Sequence, residues 1–242
     1  MGGLLSTRGI IKPSGKLLAA LLALGVGYYL QSTFYFTALL YIPVSMVALI
    51  LYLYPAFVTA GSLALGWERF SPLVAFALSL ALTGLFLVVN PTLGVRVALT
   101  GVLLAFAAAV TYTLYILFSS RVLRRISGED ASFYVMGFAG LTFWLSGLAG
   151  GKFHFAWGLE VWVWALLIAS VSTVLPITTF FQGLKIVGPS KASILSILEP
   201  VTSVAVASLL FAEQLSMAQW VGGVLILSGT ILAALSRPEG VG

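Results

Sequence analysis

The sequence predicts an all-α fold: a polytopic transmembrane helix bundle of two inverted-topology repeats, with eight helices present of an expected ten. Three observations predict the bundle. Hydrophobic residues fill 60% of the 242 positions and charged residues only 8%, where a soluble domain carries about a quarter charged residues, and the mean hydropathy is +1.11. The apolar residues gather into eight runs, each near the roughly 20 residues that a helix needs to cross a hydrocarbon core. Lys and Arg fall almost entirely on alternate sides of those runs, the bias that orients helices in a bilayer.

The predicted spans are 17–41, 44–66, 73–90, 98–119, 131–150, 161–183, 190–211 and 217–235. Turn chemistry separates them at Tyr41-Ile42-Pro43, Asn90-Pro91 and Gly188-Pro189, where proline ends a helix and glycine permits the reversal. The first run is too long for a signal-peptide core and lacks a small-residue cleavage site. With the N-terminus inside, Arg8, Lys12, Lys16, Arg69, Arg121, Arg124, Arg125, Lys185, Lys191 and Arg237 lie inside, and only Arg96 and Lys152 outside. This distribution predicts a multi-pass protein of the cytoplasmic (inner) membrane with both termini cytoplasmic. The formal charge of +5 is thereby an orientation signal, and nucleic acid is not an expected partner. The absence of cysteine excludes disulfides and thiolate metal sites.

The second and seventh spans each contain a proline, Pro55 and Pro200, and these lie 145 residues apart. The same offset pairs Glu68 with Glu213 and Gly84 with Gly229, along with Thr33/Thr178, Ser45/Ser190 and Ser71/Ser216. Proline, glutamate and glycine matches are informative in so apolar a chain. The sequence therefore divides into residues 1–92, a partial first repeat of three helices, and residues 93–242, a complete repeat of five. An odd number of spans per repeat inverts the second copy in the membrane. The first copy aligns with the last three helices of the second, so the expected ten-helix arrangement places two further spans ahead of residue 1.

The run Ser193-Ile194-Leu195-Ser196-Ile197-Leu198-Glu199-Pro200-Val201 is followed by Phe211-Ala212-Glu213-Gln214-Leu215. Next comes Gln219-Trp220-Val221-Gly222-Gly223-Val224-Leu225-Ile226-Leu227-Ser228-Gly229. Together they resemble the EamA domain of the drug/metabolite transporter superfamily, and the aromatic, arginine-ended helix within 101–125 is similar to the opening helix of that domain. The resemblance implies ten helices, cytoplasmic termini and a central cavity between repeats. It also implies transport of small metabolites, amino acids or amphipathic drugs, often as efflux. The first copy departs from the pattern, carrying Tyr54-Pro55 where the second carries Glu199-Pro200.

Glu199 is the sharpest site candidate, because an acid in mid-membrane costs about 2.5–3.5 kcal/mol on insertion scales and so faces a cavity or partner. It is read either as a proton- or cation-binding group or as a neutral acid stabilising the helix break. Pro55 and Pro200 are read as hinges, since broken helices at matching depth mark transporter sites; packing kinks are the plainer reading. Polar stripes place Tyr28, Gln31 and Tyr35 on one face, Tyr112 and Tyr115 on another, and Ser196 with Glu199 on a third. Gln182 and Thr178 add a fourth. Such residues either line a cavity or bond between helices. Glu68 and Glu213 are read as structural acids that accept backbone donors at the N-terminus of the helix that follows each. Gly147/Gly151 and Ala192/Ser196 have the spacing of close helix contacts. His154 is read as an exposed loop residue, and neither a metal nor a cofactor is expected.

The leading functional expectation is a secondary transporter working by alternating access; the sequence carries no phosphate-cradling glycine loop of the kind direct ATP hydrolysis uses. Its expected partners are a small-molecule substrate, the bilayer and a coupling proton. The alternatives are a lipid flippase of related fold and a transport-inactive or accessory membrane subunit. One acid, one remote histidine and no cysteine leave little for a membrane-embedded enzyme.

Overall fold

The apolar runs fold as helices because a chain in hydrocarbon must satisfy its own backbone hydrogen bonds. A computed structural model describes residues 12–89, 98–151, 158–211 and 216–236, and among these the ordered elements are helical throughout. The elements are α1 (Gly15–Ala38), α2 (Val44–Leu51), α3 (Tyr54–Ala64), α4 (Pro72–Val89), α5 (Leu99–Val122), α6 (Gly128–Ala149), α7 (Leu159–Leu167), α8 (Leu175–Val187), α9 (Pro189–Leu195), α10 (Leu198–Phe211) and α11 (Met217–Leu235). The pairs α2/α3, α7/α8 and α9/α10 each make one membrane crossing, giving eight helical spans among the described residues. The chain is thus a multi-pass membrane protein.

Each break has a local cause. Pro55 and Pro200 lack an amide hydrogen, so the i→i−4 ladder cannot run through them. Before Pro55, Leu53 N bonds to Ile50 O instead, and before Pro200, Ile197 N bonds to Ile194 O. The breaks fall at residues 52–53 and 196–197. Between α7 and α8 the chain takes a π-helical turn, Ile168–Val174, which ends just before Pro176. The sequence-based span 161–183 contains no such feature. Its cause is the same, since a missing amide at Pro176 removes one bond of the ladder. Helix starts also recur at the repeat offset: Val44 with Pro189, and Pro72 with Met217.

Helix α1 lies against α5 and α6, and α4 against α11. Close approach depends on glycine. A Cβ on Gly25 would sit 2.6 Å from the Phe138 Cβ. On Gly84 it would sit 2.5 Å from the Gly222 carbonyl oxygen, on Gly222 2.6 Å from the Gly84 carbonyl oxygen, and on Gly229 2.6 Å from the Ala77 carbonyl oxygen. Ala77 and Gly222 are themselves a pair at the repeat offset, as are Gly84 and Gly229. The α4–α11 contact therefore exchanges onto itself under the 145-residue offset, and the two helices run antiparallel. The expected close contact at Gly147/Gly151 is not made at Gly151, which has open space around its Cα and φ +61 beyond the end of α6. Its glycine serves the left-handed turn, not packing.

The basic side chains that line or cap helix ends among the described residues include a group gathered at one end of the bundle. Lys185 Nζ donates to the Ile126 carbonyl at 3.1 Å, Lys191 Nζ donates to the Ser236 carbonyl, and the Arg121 guanidinium lies 4.0 Å over the Trp67 ring. Glu68 lies there too, but it serves a different helix from the one expected. Its carboxylate accepts from Ser190 N at 3.3 Å and from the Ser190 hydroxyl, at the start of α9 rather than of α4. The reason is topological: the turn after α3 meets the turn before α9, a pairing between residues 122 positions apart that spacing along the chain does not reveal. Glu213, Arg8, Arg96, Lys152, His154 and Arg237 lie outside the described residues.

Candidate functional site

The two proline breaks meet near the middle of the bundle. Glu199 is central in the span Pro189–Leu210, and Tyr52 is close to central in Val44–Ala64. The Tyr52 hydroxyl donates to Glu199 Oε2 at 2.9 Å. The two residues lie 147 positions apart, and each sits at or just beyond a break where the backbone leaves helical register. Glu199 is otherwise exposed, on a groove it shares with Ser196, Thr179, Phe180 and Pro176.

From Tyr52 an aromatic array runs inward. Its ring lies 6.0 Å from that of Tyr54, and Tyr54 lies edge-on to Tyr112 at 4.6 Å. Tyr112 stacks on Tyr115 at 6.0 Å, and Tyr115 neighbours both Tyr28 at 6.2 Å and Phe181 at 6.1 Å. Helices α1, α3 and α8 each contribute a ring and α5 contributes two, and Tyr52 extends the array from the α2–α3 break. Tyr54 is buried, and its hydroxyl donates to the Ser193 carbonyl at 3.5 Å. The hydroxyls of Tyr115, Ser62 and Ser119 are buried without a hydrogen-bond partner. An unpaired buried hydroxyl costs about 1–3 kcal/mol, so the α3–α5 interface retains polar capacity that the bundle itself does not use.

The structure thus brings together Glu199, Tyr112, Tyr115 and Tyr28 with the hinge residues Pro55 and Pro200. Others lie at the edge of this group or are engaged elsewhere. Ser196 lines the Glu199 groove, but its hydroxyl bonds back to the Ala192 carbonyl at 3.1 Å. Gln31 accepts a long 3.5 Å bond from Ser32. Tyr35 packs edge-on against Phe36 at 5.5 Å. Gln182 is the clearest departure: its amide donates to Glu129 Oε1 at 2.6 Å, and together with the Thr178 bond to Ser132 Oγ at 2.8 Å it ties α8 to α6. That stripe bonds helix to helix. A stripe reports which residues share a face, and only packing decides what the face meets.

Sequence reasoning missed Tyr52 and Tyr54 as site residues. Tyr54 is the repeat counterpart of Glu199, a signal that was available. Tyr52 has Ile197 as its counterpart, so the repeat offers no pointer to it; a polar side chain at the break three residues before a mid-span proline was the remaining clue. Replacing the hydroxyl alone tests its part. We expect Tyr52→Phe to keep the ring packing but to lower the melting temperature, because a hydrogen bond to a charged group contributes about 1.5–3 kcal/mol. Thermal unfolding of the purified protein measures it.

Residues 99–235 match the EamA-like transporter family. Among curated proteins, an uncharacterized transporter of Archaeoglobus fulgidus is 29% identical over 213 residues, spanning 88% of this chain and 75% of that one. The uncharacterized inner membrane transporter YicL of Salmonella typhimurium is 30% identical over 166 residues, spanning 67% of this chain and 55% of that one. Among solved structures, a crystal structure of a protein 23% identical to this chain superposes with a TM-score of 0.72, covering 95% of this chain and 91% of that one.

Proposed function

The chain belongs to the EamA-like transporter family, and on that premise we propose that it is a secondary transporter that moves small metabolites, amino acids or amphipathic drugs across the cytoplasmic membrane by alternating access, in the export direction. One observation carries the reading: the Tyr52–Glu199 hydrogen bond, formed mid-bundle where two broken helices from different repeats meet. Discontinuous helices at the midplane are where transporters bind their cargo and coupling ions. A carboxylate placed there beside aromatic faces suits a substrate amine or a proton.

The antiparallel, self-exchanging α4–α11 contact supports inverted repeats. A two-fold axis lying in the membrane plane turns one helix into an antiparallel copy of itself, whereas an axis along the membrane normal would leave the copies parallel. The cationic end of the bundle is the cytoplasmic one on this reading. The repeat also bears on the Glu199 groove. Helix α7 has no buried residue, while its repeat counterpart α1 is covered by α5 and α6. The Glu199 groove is lined on this side by Pro176, Thr179 and Phe180 of α8.

The test is flux in vesicles containing the purified protein, with water-soluble amines and amino acids in one series and lipid-linked substrates in another. We expect saturable flux of a water-soluble, amine-bearing solute that responds to an imposed proton gradient. Movement of the lipid-linked series alone would make the protein a flippase. No flux in either series, together with stable co-purification of another membrane protein, would make it an accessory subunit.

A further inference from the structure

The cationic end of the bundle holds a cavity of about 260 Å³ whose charged lining is distinct from the Glu199 groove, although Leu184 and Val187 border both. Five cations line it: Arg69 after α3, Arg121 and Arg124 at the end of α5, and Lys185 and Lys191 around the α8–α9 turn. These come from three stretches of chain far apart in sequence. The one carboxylate in its wall, Glu68, is engaged by Ser190. Glu129 lies near Lys185 but is held by Gln182 outside the lining.

Orientation in the bilayer requires cations on this face, but it does not require them to converge on one cavity. Nor does it require Lys191 to be only 8% exposed, or the Arg121 guanidinium to be fixed over Trp67. Lys185 and Lys191 each give one ammonium hydrogen to a backbone carbonyl, which leaves two donors on each. Arg69 and Arg124 are exposed, with no bonding partner among the described residues. Planar guanidinium groups suit a phosphate's oxygens, which they can engage in pairs. Phe70, Val74 and Ile186 supply an apolar wall beside the charges. Basic pockets between transmembrane helices on the cytoplasmic side fit anionic headgroups.

We propose that this cavity binds an anionic phosphate group, carried by a lipid headgroup or by a free solute. The site is separate from the transport reading and is tested without flux. The purified full chain in detergent is followed by native mass spectrometry and thermal unfolding with phosphatidylglycerol, phosphatidylcholine, and sodium phosphate against sodium chloride at equal ionic strength. The expected result is retention of, and stabilisation by, phosphatidylglycerol over phosphatidylcholine, or stabilisation by phosphate over chloride; the first assigns a lipid, the second a free anion. Arg69→Gln with Arg124→Gln should weaken binding about thirtyfold, the effect of two lost surface charges. Lys16→Gln with Arg125→Gln removes the same charge from residues that do not line the cavity and should leave binding unchanged. Equal losses in the two double variants, or no preference for either phosphate source in the unmodified protein, would overturn the proposal. The comparison of ligands on the unmodified protein stands even if a variant fails to fold.

Discussion

Glu199→Gln is expected to lower transport by about a hundredfold or more while leaving membrane expression and the folded state intact. The substitution keeps the size of the side chain and an oxygen that can still accept from the Tyr52 hydroxyl, so the contact at 2.9 Å survives in form. What it removes is the carboxylate's ability to carry charge. If that charge balances a substrate amine or a coupling proton in a low-dielectric groove, its loss strands the cargo's charge, a penalty of about 2–5 kcal/mol. Flux in reconstituted vesicles, paired with gel filtration of the same preparation, measures it. Flux equal to that of the parent would instead make Glu199 a neutral acid that stabilises the break beside Pro200. Glu199→Asp keeps the charge but withdraws it by one methylene, and should retain more flux than Glu199→Gln.

The second large effect is on the fold. Gly222→Leu is expected to prevent α4 and α11 from closing, so that no monodisperse folded protein is recovered. A Cβ at this position would lie 2.6 Å from the Gly84 carbonyl oxygen and 2.9 Å from the Leu87 Cβ. Those are backbone and stem atoms that cannot swing aside, so the helices themselves must part. Overpacking in a tight interface costs about 1–3 kcal/mol even where side chains can adjust, and here the backbone contact itself is blocked. The neighbouring glycine is the control. A Cβ on Gly223 meets only a Val201 side-chain atom, at 4.0 Å, so Gly223→Leu should be tolerated and should melt near the parent temperature. Gel filtration of the two variants, followed by thermal unfolding of any that elutes as a folded species, decides it. Equal stability would mean that the α4–α11 contact is not what holds the halves together.

Much of this could be read from composition and spacing. The span boundaries follow because hydrocarbon admits only runs of a definite length, and because proline and glycine punctuate helices wherever they stand. The 145-residue offset was legible because proline, glutamate and glycine matches are rare in an apolar chain. Glu199 was legible because a lone acid in mid-span is costly. Tyr28, Tyr112 and Tyr115 were legible only as residues sharing helix faces; that they form one array is a property of packing.

The sequence by itself determined that the chain crosses a membrane, where each crossing starts and stops to within a few residues, that proline interrupts two of them, and which acid lies at the centre of the seventh. These are local consequences of solvation and backbone chemistry. Tertiary structure alone decided the pairings: Tyr52 with Glu199, Glu68 with Ser190 rather than with its own next helix, Gln182 with Glu129 instead of the centre, and five cations around one cavity. Each joins residues tens of positions or more apart. Helical periodicity fixes the face a residue occupies but carries no information about which other helix that face will meet.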